Sequence, residues 1–497
     1  MTEIHAFDPD GTPSPGAKTA LDLRASVLPS DFGAAGNGSD DDLSALTAAC
    51  SAAASLGRPI DLGAGAYALS GKLNLPPSLR VLSAGASLVA LADRSDAMLA
   101  IQSRVSIAGH LTVTTNAEAV DTHRGVQIKG SDVSVSSLTI ESPVDGAGSA
   151  NGRADGLLVQ GARVRIGNLA IRGFQRPLRI DHASRVRIDS AAIDGYVRGV
   201  YILGSQFVHL GSLDVSRSFT AEASAGANSL LIESATDSPT TGLFVADARL
   251  SGAGEHGVRL GGQSPISRVT FGSLTVEDCG RAGIKILGGT LASGSIHTDI
   301  NLANVRVMDA GQVNDNTAAV QLHLCKRVSV QGLTVGRSAK AASVTNGVEV
   351  QGCEDIQITA PMITDVSVAG ISLIGNLGHS KNIRLDGGML RASQASGVGV
   401  RIATGSNSVS GLVLAGRVSI GTTEGANVDV VSGDLSNCSA SWVSTSGAPL
   451  AGSPSSLLVD VSAAWDSAAP AARAGSTWLG TDGEMRRSTG SSWVLAD

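Results

Sequence analysis

Hydrophobic positions recur along this chain in one short pattern: a small residue, an aliphatic, a free position, an aliphatic. It reads Gly125-Val126-Gln127-Ile128, Gly156-Leu157-Leu158-Val159, Pro177-Leu178-Arg179-Ile180 and Gly199-Val200-Tyr201-Ile202. It continues as Ser229-Leu230-Leu231-Ile232, Gly257-Val258-Arg259-Leu260, Gly283-Ile284-Lys285-Ile286 and Ala319-Val320-Gln321-Leu322. The last copies are Gly347-Val348-Glu349-Val350, Gly370-Ile371-Ser372-Leu373 and Gly399-Val400-Arg401-Ile402. Successive copies lie about 21 to 36 residues apart, the spacing of a solenoid repeat. Two aliphatics around one free position predict a short strand with alternate side chains turned inward. One such strand cannot bury its apolar face alone. Stacked copies can, so the pattern predicts an all-β solenoid whose free positions form an outward column.

The flanks read differently. Residues 1–30 are polar and irregular, with a brief helical pattern at Ala20, Leu21, Leu23, Val27 and Leu28, and are expected to be a linker or attachment segment. Asp31-Phe32-Gly33-Ala34-Ala35-Gly36-Asn37-Gly38-Ser39-Asp40-Asp41-Asp42 is turn-rich. Asp41 or Asp42 is placed to N-cap a helix over Leu43–Ala53 that stops before Gly57 and covers the open end of the stack. Short strands follow at 59–69 and 80–83. Residues 31–440 are expected to be the solenoid. Residues 441–497 hold all four tryptophans (Trp442, Trp465, Trp478 and Trp493) and predict a small C-terminal β module, a hairpin turning at Asp482-Gly483.

Composition narrows the class. Gly numbers 61 and aromatics are only 3% of 497 residues, which suits tight turns and thin coils better than a helical bundle. A net charge of −7 gives no support for nucleic-acid binding. The N-terminus lacks a basic region and an apolar core, and no 18-residue apolar run occurs, so neither a Sec signal nor a membrane span is expected. The five cysteines are scattered without a CxxC pair and are expected to be buried thiols. No Walker loop, zinc-ligand spacing or HExxH is present, so no cofactor and no metal are expected. Asp40-Asp41-Asp42 and Asn314-Asp315-Asn316 read as loop and cap residues.

Candidate chemistry comes from placing the copies in register. The outward column becomes Gln127, Leu158, Arg179, Tyr201, Leu231, Arg259, Lys285, Gln321, Glu349, Ser372 and Arg401. A turn column ahead of it holds Arg124, Asp155, Arg176, Arg198, Asn228, His256 and Asn346. One residue earlier come His123, Gln175, Glu255 and Arg281. Its middle is cationic, and Arg176, Arg179, Arg198, Tyr201, Arg259, Arg281 and Lys285 are the expected substrate-binding set, suited to a polysaccharide carrying carboxylates. Cleavage of a glycosidic bond by hydrolysis needs two carboxyl groups roughly 5–10 Å apart. Glu255 and Asp278, on adjacent coils, are the expected pair, with His256 beside them as a third catalytic candidate. A lyase would instead need a base and a group that neutralises a uronate.

The opening Asp31-Phe32-Gly33-Ala34 through Asp40-Asp41-Asp42, a short helix, then Ile60-Asp61-Leu62-Gly63-Ala64-Gly65-Ala66-Tyr67, resembles the pectate-lyase-like superfamily of right-handed parallel β-helices. The superfamily contains polysaccharide lyases, glycosidases, epimerases and bacteriophage tailspikes. The resemblance covers about residues 31–440 and implies a right-handed parallel β-helix. It further implies a tailspike-like homotrimer, carried on a virion or extracellular, that binds and cleaves a bacterial surface polysaccharide. Its N-terminal segment would then attach to a phage tail or baseplate protein. The polygalacturonase branch carries an aspartate pair on the coil after its Asp-Gly strand. Here Asp155-Gly156 is followed by Gln175-Arg176-Pro177, which argues against that mechanism within one chain. A stand-alone bacterial polysaccharide enzyme and a non-catalytic adhesin are the alternatives.

Overall fold

Alternation of inward and outward side chains is realised as a stack of parallel strands, each hydrogen-bonded to the equivalent strand one coil away, in a right-handed β-helix. The computed structural model describes residues 25–91, 96–115, 124–142, 155–218, 226–289, 296–313, 317–337, 344–392, 397–436, 438–452, 457–461, 477–479, 485–488 and 493–495. The readings at residues 1–24, His123, Asn314-Asp315-Asn316, Trp465 and Asp482-Gly483 lie outside the described residues. The chain divides into two units, Met1–Phe219 and Thr220–Asp497.

In the first unit the repeat strands are Ala97–Ile101, Arg124–Ile128, Asp155–Val159, Arg176–Asp181 and Val200–Leu203. The register is the expected one: Gln127 pairs with Leu158, Leu158 with Arg179, and Arg179 with Tyr201. Val126, Ile128, Leu157, Val159, Leu178, Ile180, Val200 and Ile202 are wholly buried. Each contributes roughly 1.5–3 kcal/mol relative to an exposed side chain. The helix Leu43–Leu56 packs against the first coil through Leu46, Ala49, Cys50 and Ala53, and ends at Gly57 in the left-handed region. Of the two residues expected to cap its start, Asp42 holds the N-cap position and Asp41 supplies the side-chain acceptor. The Asp42 carboxylate makes no cap hydrogen bond; it accepts from Ala35 N (2.6 Å) and Gly36 N (3.1 Å). Asp41 instead accepts from Leu43 N at 3.2 Å. Asp42 thus ties the segment before the first strand to the helix start, and the helical amide is left to Asp41.

In the second unit the repeat strands are Leu230–Ser234, Val258–Gly262, Ile284–Leu287, Ala318–His323, Asn346–Gln351, Ala369–Ile374 and Val398–Ser410. The column Leu231, Arg259, Lys285, Gln321, Glu349, Ser372 and Arg401 is in register throughout. Parallel pairing continues across position 440, from Cys438–Gly452 to Leu457–Val461. Pairing then becomes antiparallel, Thr477–Leu479 with Met485–Ser488 and the latter with Trp493–Leu495, so the hairpin gains a third strand.

The corners between strands carry a feature that hydrophobic spacing does not mark. Non-glycine residues adopt positive φ at one stacked corner position: Ser78, Arg104, Asp132, Arg163, Arg185 and Phe207 in the first unit. Arg268, Asp299, Arg327, Asp355 and Asn382 do so in the second, with φ from 54° to 58°. Such residues cost roughly 1–2 kcal/mol each. Side chains stacked at the corner offset that: Arg163 to Asp132 (2.7 Å), Arg327 to Asp299 by two hydrogen bonds (2.6 and 2.8 Å), and Asn382 to Asp355 (2.8 Å).

Candidate functional site

The outward column is less exposed than a free sheet face would be. Gln127, Leu158, Tyr201, Leu231 and Ser372 are buried, and Arg179, Arg259, Lys285, Gln321, Glu349 and Arg401 are half-buried. Side chains stacked about 4.8 Å apart cover one another.

In the first unit one carboxylate of the turn column sits between two guanidiniums. Asp155, wholly buried, lies between Arg124 (3.4 Å) and Arg176 (2.7 Å). Burial pushes the Asp155 carboxyl up in spite of these guanidiniums, and burial pushes Arg176 down. Arg176 therefore balances a buried carboxylate. Arg179 lies over the Tyr201 ring, 5.7 Å from its centre, and its Nη2 is 2.8 Å from Asp181. Arg198 is half-buried, and its backbone N–H donates to Gln175 O (2.8 Å).

In the second unit Glu255 is 4% exposed and His256 is 1% exposed. Glu255 accepts from Gly226 N at 2.7 Å, and Arg281 and Arg259 approach it at 3.4 and 3.5 Å. Burial alone would raise its carboxyl pKa. The Gly226 N–H and the surrounding positive charge win, and hold it below the usual carboxylate range. His256 donates from Nδ1 to Ala282 O at 3.3 Å, which leaves its Nε2 3.6 Å from Glu255. Burial pushes His256 down to about 3, so it is neutral at pH 7. Asn228 is wholly buried; its Oδ1 accepts from His256 N, and its Nδ2 has no hydrogen-bond partner among the described residues.

Lys285 is half-buried beside Arg259 on the next coil, and no hydrogen bond or ion pair holds it among the described residues. Burial, then repulsion from Arg259, pushes its ammonium below the ordinary lysine value. Three cations, Arg259, Arg281 and Lys285, thus surround one carboxylate.

Asp278 is placed elsewhere. Arg281 N donates to Glu255 O, so Arg281 is the residue stacked on Glu255. Asp278 follows Glu277, which pairs with Ser251, and so stacks on Gly252, three residues back along the chain. The expected Glu255–Asp278 juxtaposition is offset by that much.

One pair went unnoticed in the sequence. Glu349 accepts from His323 Nε2 (2.8 Å) and Gln351 Nε2 (2.7 Å), with Asn346 Nδ2 at 3.4 Å. Glu349 stood in the outward column, and counting two residues past Gln321 finds His323.

No protein-family model and no curated protein sequence matches the chain. Among solved structures it is similar to bacteriophage CBA120 tailspike protein 3, at 15% identity over 97% of this chain and 70% of that one, TM-score 0.44. It is similar to the bacteriophage Phi29 gene product 12 N-terminal fragment, at 13% identity over 91% and 86%, TM-score 0.44. A third is the Dettilon tailspike protein, at 13% identity over 76% and 68%, TM-score 0.43. Among the described residues no helix is long and apolar enough to cross a membrane.

Proposed function

We propose that the protein is a tailspike-like β-helix that binds an acidic bacterial surface polysaccharide through the repeat strands of its second unit. The observation that carries this reading is an excess of cation: Lys285, a half-buried ammonium held by no hydrogen bond or ion pair among the described residues, stands with Arg259 and Arg281 around the carboxylate of Glu255, with Glu349 acting on it as well. Half-buried cations in excess of the carboxylates beside them are costly, and an anionic ligand supplies the missing charge. Uronate carboxylates repeat along a polymer as cations repeat along a column. Glu255, already engaged by an N–H and two guanidiniums, orients Arg259 and Arg281 in this reading and is a positioning residue. Arg179 stacked on Tyr201 offers the first unit a similar surface for a sugar ring. A homotrimer on a virion, attached through residues 1–30, belongs to the same reading and rests on the opening at residues 31–42, which resembles that of the superfamily to which tailspikes belong.

An array of bacterial capsular and O-antigen polysaccharides, sorted by charge, tests it. Binding is expected to uronate-containing polymers and to weaken as salt rises. Lys285→Ala is expected to weaken it about tenfold, the size of one charge-assisted hydrogen bond. Lys326→Ala, whose lysine pairs with Glu354 on another strand, is expected to leave it unchanged. Equal binding of neutral and acidic glycans, or an unaffected Lys285→Ala, would sink the proposal.

A further inference from the structure

Cys325 and Cys353 lie on adjacent coils of the second unit, both 1% exposed, with their sulfurs 3.4 Å apart. They share one column: Lys326 pairs with Glu354 immediately after them, and Leu324 N donates to Gln351 O immediately before. Backbones stacked in this way stand about 4.8 Å apart, inside the Cα separation a disulfide spans. From 3.4 Å each sulfur has to move only about 0.7 Å to reach bonding distance. Cys50 and Cys279 are also buried thiols, without this neighbour.

We infer that Cys325 and Cys353 are a modification site, closing an inter-coil disulfide when a small two-electron oxidant reaches them. With hydrogen peroxide as oxidant, one thiolate attacks an oxygen, the O–O bond breaks, hydroxide leaves and a sulfenic acid remains. The second sulfur displaces that hydroxyl, its proton leaves with it as water, and the S–S bond forms. Two thiols and one peroxide give one disulfide and two waters. The staple would lie two residues beyond both His323 and Gln351, the two donors that hold Glu349. Oxidation would thus fix the register of the strands presenting that carboxylate.

The full chain, purified under reducing conditions, is treated with dilute hydrogen peroxide, denatured, alkylated and mapped by mass spectrometry. The expected product joins the peptides containing Cys325 and Cys353 and has lost two hydrogens. Cys50, Cys279 and Cys438 are expected to stay alkylatable, and a rise in melting temperature is expected to reverse with reductant. Cys353→Ser is expected to abolish both the cross-link and the reversible rise. Five alkylated cysteines after treatment, a different pairing, or over-oxidation of Cys325 or Cys353 without cross-linking would each overturn the inference.

Discussion

Gly257 and Gly261 stand four residues apart and look interchangeable in the sequence. In space they are not. A Cβ on Gly257 would come within 2.2 Å of Val276 Cγ1 and 2.8 Å of Gly283 O, whereas one on Gly261 meets nothing closer than 3.9 Å. The first glycine of the repeat is therefore required by the approach of the opposite wall of the coil. Gly257→Ala is expected to destabilise by roughly 1–3 kcal/mol and Gly261→Ala by less than about 0.5 kcal/mol, read from melting curves of both variants. Equal melting temperatures would remove that account. The small residue was legible as a pattern; the Val276 side chain that enforces it was not. The offset of Asp278 from Glu255, by contrast, could be counted from Gly257 and Gly283.

At the scale of the strand, two buried histidines tie the second unit to pH. His297 begins the strand His297–Ala303, is wholly buried, and accepts from Ile266 N at 3.1 Å. Burial pushes it down to about 4, as it pushes His256 to about 3. Both values lie below the ordinary histidine value, so the unfolded chain binds more protons in the window between. Their stabilisation is present above about pH 6.5 and is lost as pH falls through about 4. For His297 the loss is on the order of 3 kcal/mol across that window. Thermal melts between pH 7 and pH 4 are expected to show the fall, and His297→Gln to flatten its slope. A slope unchanged by that substitution would show that His297 is not its source. Strand identity and register were readable because period two survives wherever one face is buried. The corners were not, since a positive φ at Arg327 or Asp355 leaves no mark on hydrophobic spacing.

For the molecule as a whole, the proposed trimer would offer a repeating polymer several copies of the same cationic strands, and linked copies bind with raised effective concentration. Light scattering of the purified chain is expected to give about three times its 49.9 kDa mass, and a clear monomer would remove the tailspike reading. The expected solenoid was recovered because its repeats are local and near-periodic. The burial of its outward column was missed because that depends on neighbours one coil away, which no single repeat specifies. The corner ladder of the second unit has a consequence for how such a chain changes length. Its members run Arg268, Asp299, Arg327, Asp355, so charge alternates from one coil to the next. Excising the coil that bears Asp299 would set Arg268 against Arg327. Excising it together with the coil that bears Arg327 would set Arg268 against Asp355. Parity of charge therefore favours losing coils from this stretch in twos, and gaining them in the same way.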